Sequence, residues 1–309
     1  MASIIITEIM DTRAVAQLQA AHEVLYDPEL VDDGPRLRTL AAGADALIVR
    51  NRTQVRGELL AALGRCRVIG RLGVGLDNID VPGCDARGMV VIPATGANAL
   101  SVAEYVITAS MLLLRGAFTS TADVVAGKWP RNALGNRGRE TAGKTLGIIG
   151  FGSIGQLTGR LARSLGMNVI AFDAMIDDDA GVFQDSGVKA TGLHDLILQS
   201  DVVTLHVPLV DGTRGLFDAQ RIATMKPGAI LINTSRGPIL DLPAVAAALR
   251  SGHLGGAAVD VFDVEPLPAV PELADCPNLL LTPHISGVSA ESNDRVSTLI
   301  AAKVLEALH

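Results

Sequence analysis

The stretch TLGIIGFGSIGQLTGRLARSLGMNVIAFD, running from Thr145 to Asp173, decides the fold. Leu146-Gly147-Ile148-Ile149 is a short apolar run with the pattern of a buried strand, and it leads straight into Gly150-Phe151-Gly152-Ser153-Ile154-Gly155. Around and beyond the last glycine, Ile154, Leu157, Leu161 and Leu165 recur at helical spacing until Gly166 closes the helix. A second strand, Asn168 to Phe172, ends on Asp173, 18 residues after Gly155. Strand, G-x-G-x-x-G, helix, strand and acid in that order form the dinucleotide-binding fingerprint. Gly150 permits the tight turn, Gly152 lets backbone approach a pyrophosphate, and Gly155 lets helix pack close to strand. The N–H groups of Ser153 and Ile154 lie at the positive end of the helix dipole, which suits phosphate. Asp173 suits the ribose hydroxyls, and its charge disfavours a 2′-phosphate. The cofactor these residues imply is NAD.

Composition agrees. A chain of 309 residues is long enough for about two domains. Its net charge of −7 argues against a nucleic-acid or anionic-membrane partner. Cys66, Cys84 and Cys276 form no C-x-x-C, which fits a reduced, cytoplasmic protein. The N-terminal MASIIITEIMD lacks a basic region and reads as a first strand, not a signal peptide. The apolar run Val106 to Leu114 is too short to span a bilayer.

Upstream of the fingerprint, strands are expected at Ile4–Ile6, Val24–Tyr26, Ala46–Val49, Val68–Leu72 and Val90–Ile92. Helical patterns lie between them at Thr12–Ala21, Pro35–Ala42, Gly57–Leu63 and Val81–Arg87. This rhythm implies a small parallel sheet of its own. The loops Arg50-Asn51-Arg52-Thr53 and Gly73-Val74-Gly75-Leu76-Asp77-Asn78 follow its strands, where ligands sit in open parallel sheets. Ala94 to Asn98 reads as a hinge, followed by a long apolar helix from about Asn98 to Gly116, which a subunit interface could cover. A polar segment from Gly127 to Gly143 leads to the fingerprint. Further strands are expected at Asp201–Val207, Ala229–Thr234, Ala257–Phe262 and Leu279–Thr282, with a final helix from Ala290 to Leu308. The fold class is therefore α/β, with two doubly wound parallel-sheet domains. A Rossmann-type NAD domain, residues 96–285, is inserted in a flavodoxin-like substrate domain, residues 1–95 plus 286–309.

Some motif matches carry nothing. Gly138 to Thr145 satisfies G-x-x-x-x-G-K-T, but the motif precedes a strand, whereas a phosphate loop needs a helix there. The sequons at Asn51 and Asn233 have no secretory context, and the six histidines show no metal-ligand spacing. No metal is expected.

Three strand ends carry chemistry. Ala229 to Gly237 ends in a polar tip with Arg236. Asp260-Val261-Phe262-Asp263-Val264-Glu265-Pro266 delivers two or three acids, and Leu279 to His284 delivers an imidazole. An arginine, a carboxylate and a histidine at the C-terminal ends of one sheet are what hydride reduction needs. One group holds an anionic substrate, one exchanges a proton, and one sets the exchanger's proton affinity.

Over nearly its whole length the chain resembles the D-isomer-specific 2-hydroxyacid dehydrogenase family, in its phosphoglycerate dehydrogenase-like group. The resemblance rests on Arg71 to Asp80 (RLGVGLDNID), Ser101 to Glu104 (SVAE), Gly143 to Gly150 (GKTLGIIG) and Asp201 to Leu209 (DVVTLHVPL). Asn233 to Gly237 (NTSRG), Asp260-Val261-Phe262, Glu265-Pro266 and Thr282-Pro283-His284 complete it. It implies a catalytic triad of Arg236, Glu265 and His284. It implies that Asp260 contacts the nicotinamide carboxamide and that His206, Pro208 and Thr234 line the cofactor. It implies that N–H groups near Val74 and Gly75 hold the substrate carboxylate. A homodimer built on the helix after Asn98 is likewise what the family implies. Residues 132–140 depart from the usual pattern, and no regulatory domain follows His309, so control by a C-terminal module is not expected. The formate enzymes of this fold have glutamine where Glu265 stands, which counts against that activity. A glyoxylate or hydroxypyruvate reductase stays open at this point, as does a non-catalytic NAD(H)-sensing interaction protein.

The run Val49 to Val55, VRNRTQV, resembles the sulfolactate dehydrogenase branch through its second arginine. The loop Arg50-Asn51-Arg52-Thr53 sits where phosphoglycerate dehydrogenase-like enzymes hold the substrate's distal group, so the resemblance implies that Arg52 or Arg50, beside Asn51 and with Arg71 nearby, makes a pocket for a second anion. The expected substrate is a small 2-hydroxy or 2-oxo acid with a second anionic group, sulfonate or phosphate.

Overall fold

The structure, a computed structural model, describes residues 1–116, 118 and 120–309. Two compact units divide it: Met1–Asn98 together with Val288–His309, and Ala99–Gly287.

In the first unit, β1 (Ser3–Ile6), β2 (Glu23–Tyr26), β3 (Ala46–Val49), β4 (Val68–Arg71) and β5 (Val90–Pro93) form a parallel sheet in the order β2-β1-β3-β4-β5. Helices α1 (Thr12–Gln19), α2 (Gly34–Ala41), α3 (Gly57–Ala62) and α4 (Val81–Asp85) connect them, and the C-terminal helix α13 (Ala290–Leu308) returns to the same unit. Side chains alternate across a strand, so β1 sends Ile4 and Ile6 to one face and Ile5 to the other. Ile4, Ile6 and Ile48 pack with Val296, Ile300 and Val304 of α13. Ile5, Leu47 and Val49 pack with Leu37, Leu59 and Leu60 of α2 and α3. Each fully buried side chain of this kind contributes roughly 1.5–3 kcal/mol. Gly70 in β4 lets α13 lie close, since a Cβ there would meet Ile300 Cγ2 at 2.8 Å. Asp11 and Asp80 cap α1 and α4 by accepting N–H bonds from Arg13 and Gly83.

The second unit opens with α5 (Ala99–Arg115), α6 (Ser120–Val125) and α7 (Arg131–Arg137). Its strands are β6 (Thr145–Ile149), β7 (Asn168–Phe172), β8 (Lys189–Ala190), β9 (Val202–Leu205), β10 (Ala229–Asn233), β11 (Leu254–Val259) and β12 (Leu279–Leu281). Helices α8 (Ser153–Ser164), α9 (Gly181–Ser186), α10 (Leu193–Gln199), α11 (Ala219–Ala223) and α12 (Leu242–Arg250) connect them. The sheet is parallel, ordered β12-β11-β10-β9-β6-β7-β8. The chain reverses direction across the sheet between β6 and β9, the switch point where doubly wound sheets bind ligands.

Some elements differ from the sequence reading. The face that α8 buries is Gly155, Thr158, Gly159 and Ala162, while Ile154, Leu157 and Leu161 lie half-buried on its flanks. The cause is closeness: a Cβ on Gly155 would sit 2.3 Å from the Gly150 carbonyl oxygen, so only small residues fit beneath the helix. Strand β11 starts at Leu254 and stops at Val259, in place of the expected Ala257–Phe262. Its first glycines are packed, since Cβ atoms on Gly255 and Gly256 would each lie 2.4 Å from Gly228 O and Asn278 Nδ2. The polar stretch before β6 holds the short helix α7. No helix among the described residues is long and apolar enough to cross a membrane.

Candidate active site

The chain leaves β10, β11 and β12 at one edge of the second sheet, and their C-terminal ends carry Arg236, Glu265 and His284. His284 Nδ1 lies 2.7 Å from Glu265 Oε2. Glu265 Oε1 accepts the Phe262 N–H at 3.0 Å. Burial would raise the Glu265 pKa, but the His284 ring, the Phe262 N–H and the charge of Arg236 outweigh it and hold the carboxyl below its ordinary value. An ionised carboxylate only accepts, so the imidazole proton sits on Nδ1 and Nε2 is the nitrogen left to exchange a proton. His284 and Glu265 keep 32% and 29% of their side-chain surface, enough for a substrate to reach.

Gly237 brings the arginine to this pair. A Cβ there would lie 2.1 Å from the Phe262 carbonyl carbon, so the Arg236 loop rests directly on the segment that leads to Glu265. Asn233, fully buried, shapes that loop by donating to Arg236 O at 2.9 Å and accepting from Ser235 N–H at 3.0 Å.

His284 has φ +56°, in the left-handed region. A non-glycine residue there costs on the order of 1–3 kcal/mol and persists where its surroundings over-determine it. Asp260 does so. Its carboxylate, fully buried, accepts from Thr282 Oγ1 at 2.6 Å and from the Ile285 and Ser286 N–H groups at 2.8 Å each. Its carbonyl accepts the His284 N–H at 2.8 Å. This bracing of the histidine is a role that the sequence pattern does not reveal.

The fingerprint loop has the geometry a dinucleotide requires. Gly150 has φ +94°, and a Cβ there would stand 2.4 Å from His206 O. Gly152 caps α8 with open space around it, so the N-terminal N–H groups of Ser153 and Ile154 are approachable. Asp173 Oδ2 accepts the Phe151 N–H at 2.7 Å and Oδ1 accepts Met175 N–H at 2.9 Å. The acid therefore locks the glycine loop while keeping further lone pairs for hydroxyls. His206 follows β9, with Nε2 3.1 Å from Thr204 Oγ1, and burial pushes its pKa down to about 3, so it is neutral. Pro208 lies exposed two residues on. Thr234 Oγ1 is buried with no hydrogen-bond partner among the described residues, as expected of a group that meets a ligand.

In the first unit, Glu8 is the organiser. This buried acid accepts the N–H of Arg50 at 2.8 Å, of Thr53 at 3.0 Å and of Arg52 at 3.1 Å. Leaving such donors unsatisfied costs about 1–3 kcal/mol each. Asn78 stitches this loop to the next by donating to Arg50 O at 3.0 Å and Thr53 O at 2.7 Å. Asn51 and Arg52 thus stand exposed beside the loop of Val74 and Gly75. Arg50 Nη1 binds Ile9 O and Asn293 Oδ1, and Arg52 pairs with Asp32 at the surface. Arg71 is buried and folds back on Leu72 O and Gly73. The N–H groups of Val74 and Gly75 have no protein acceptor among the described residues.

The model of the NAD-binding domain of the D-isomer specific 2-hydroxyacid dehydrogenases matches residues 107–286. The chain is 51% identical over 308 residues to the (S)-sulfolactate dehydrogenase of Chromohalobacter salexigens, covering 100% of this chain and 99% of that protein. This chain belongs to the D-isomer-specific 2-hydroxyacid dehydrogenase family. The D-3-phosphoglycerate dehydrogenase of Mycobacterium leprae is 38% identical over 279 residues, which span 89% of this chain and 52% of that protein. The NAD-dependent formate dehydrogenase of Staphylococcus aureus, solved with NAD, has a TM-score of 0.84 at 27% identity, with 100% of this chain and 95% of that chain covered. The chain carries the family's NAD-binding domain and is an NAD-dependent oxidoreductase.

In the reading that gives Asp173 the ribose hydroxyls, its carboxylate would repel a 2′-phosphate. NADH should therefore bind at least about tenfold more tightly than NADPH, a difference of about 1.4 kcal/mol. Fluorescence titration with both nucleotides measures this, and equal dissociation constants would remove Asp173 from its assignment.

Proposed function

We propose that this enzyme interconverts a small 2-hydroxy acid and its 2-oxo acid with a second anionic group on C3, and that the anion is a sulfonate. NAD(H) supplies or takes the hydride when bound. The observation that carries the reaction type is the 2.7 Å contact between His284 and an ionised Glu265, beside Arg236.

Each group has its own task. Ser153 and Ile154 at the start of α8 take the pyrophosphate, with Gly150, Gly152 and Gly155 giving clearance, and Asp173 takes the ribose hydroxyls. His206, Pro208 and Thr234 line the nicotinamide half. Asp260 Oδ2, which accepts a single N–H, takes the carboxamide. Val74 and Gly75 offer two N–H groups to the substrate carboxylate. Arg236 pairs with that carboxylate and polarises the C2 oxygen. His284 Nε2 removes the hydroxyl proton in oxidation and returns it in reduction, while Glu265 stabilises the charged ring. In this reading residues 1–95 and 286–309 are the substrate domain and residues 96–285 the cofactor domain.

Support for a second anion comes from the loop of Asn51 and Arg52. Arg52 is 57% exposed and its partner Asp32 64%. An exposed ion pair is worth about 0–1 kcal/mol, so trading Asp32 for a substrate anion costs little. The resemblance to a sulfolactate dehydrogenase along the whole chain favours sulfonate over phosphate. A homodimer fits the outer face of α5 and the segment after it, where Leu100, Met111, Val125 and Trp129 are exposed. Three buried thiols fit a reducing cytoplasm.

Two measurements test the reading. Glu265 and the imidazolium stabilise each other, so removing the carboxylate disfavours the charged ring. Reduction needs that charged ring, so Glu265→Gln should move the falling alkaline limb of kcat/KM to lower pH. An unmoved limb would break the pairing. For substrate, NADH-dependent reduction is compared across pyruvate, glyoxylate, hydroxypyruvate, oxaloacetate, sulfopyruvate and phosphohydroxypyruvate. Sulfopyruvate should exceed pyruvate by about tenfold to a hundredfold in kcat/KM, with Arg52→Ala removing most of the difference. If glyoxylate or pyruvate leads, the second-anion pocket is wrong. If no acid turns over while NADH binds, an NAD(H)-sensing protein replaces the enzyme reading.

A further inference from the structure

The loop that carries His284 is held from a direction the triad does not involve. Helix α5 presents Ser101 and Tyr105, one turn apart and therefore on one face. Tyr105 Oη lies 2.6 Å from Thr282 Oγ1, and Ser101 Oγ donates to Ser286 O at 2.9 Å. These contacts fall two residues before and two residues after His284.

Proton counting gives the first contact a direction. Thr282 Oγ1 donates its single proton to Asp260 Oδ1 at 2.6 Å. It can therefore only accept from Tyr105, whose phenol must be the donor. Burial, with the charge of Asp260 behind it, raises the Tyr105 pKa and keeps that proton in place. The chain of donors runs from Tyr105 to Thr282 to Asp260, and the same carboxylate takes the Ile285 and Ser286 N–H groups.

We propose that Tyr105 is a positioning residue for catalysis, acting through Thr282 and Asp260 to hold His284 in its left-handed conformation and aim its imidazole. The phenol does not touch the reacting atoms. It fixes the hydroxyl of Thr282, the hydroxyl orients the carboxylate, and the carboxylate fixes the two peptide groups that follow the histidine. Ser101 secures the far end of the same loop. This inference rests on His284 being the proton exchanger.

The test is single-turnover oxidation of bound NADH by whichever of the six keto acids reacts fastest, with NADH affinity measured alongside by fluorescence. Tyr105→Phe keeps the ring and removes only the donor. It should slow the single turnover by about fivefold to twentyfold, with NADH affinity held within about twofold, because small misplacements of a reacting group cost rate steeply. Thr282→Val should match it, and Thr282→Ser should keep most of the wild-type rate. Tyr105→Phe combined with Thr282→Val should be no slower than Thr282→Val alone, since links of one chain are not additive. Wild-type rates in Tyr105→Phe would overturn the proposal. So would losses that multiply in the double variant, or a loss of NADH affinity in step with rate. The underlying reading is separable: an unmoved alkaline limb in Glu265→Gln removes the pairing itself, whereas a moved limb with an inert Tyr105→Phe removes only the relay.

Discussion

A carboxylate withdrawn from water must be supplied with donors, and the working loops of this molecule are built by supplying them. Asp260, fully buried, collects the Thr282 hydroxyl and two backbone N–H groups, and the loop bearing His284 has to curl around it to deliver them. That curl places a non-glycine residue at φ +56° and holds it there. Glu8 does the same in the first unit, drawing in three N–H groups so that residues 50–53 wrap over it. Asp173 ties the glycine loop to the end of β7, and Asp201 receives the first N–H of β6 at 2.8 Å. In each case an acid at or near a strand end satisfies backbone N–H groups at the strand's end or in the loop beyond it. The loops are irregular in conformation yet fixed in position.

A parallel sheet delivers its strand ends to one edge, and the switch point between β6 and β9 opens the place for a dinucleotide. Glycine supplies the clearance, at Gly150 for the approach of His206, at Gly155 for the packing of α8 on the glycine loop, and at Gly237 for the approach of the Arg236 loop to the Glu265 segment. The acids then hold what glycine has left flexible. Glu265 differs: an imidazole, a backbone N–H and a nearby guanidinium hold its pKa below the ordinary value against the opposing effect of burial.

The features legible in the sequence are those with a local pattern. The fingerprint from Gly150 to Asp173 and the apolar strands β1, β3 and β10 carry their pattern in neighbouring residues, and the same patterns put Arg236, Glu265 and His284 after strand ends. Glu8 and Asp260 carry theirs in contacts that depend on the fold, so in sequence Glu8 is one acid among many. The family resemblance implies a cofactor contact for Asp260, and the residues around it give no sign of its grip on residues 282–286. Tyr105 looks like one more apolar position on α5. The helical stripe of Ile154, Leu157 and Leu161 marks α8 correctly but lies half-buried on its flanks, because closeness to β6 selects small residues beneath the helix. Strand β8, two residues long, offers too few positions for a period to show.

The central claim is that His284, paired with Glu265, exchanges the proton that accompanies hydride transfer. The most direct measurement is NADH-dependent keto-acid reduction by His284→Asn, with NADH binding titrated on the same sample. The expected result is a loss of at least about a hundredfold in turnover with NADH affinity unchanged, the share that a positioned acid–base group supplies. Turnover within a few-fold of wild type, with NADH still bound, would contradict it.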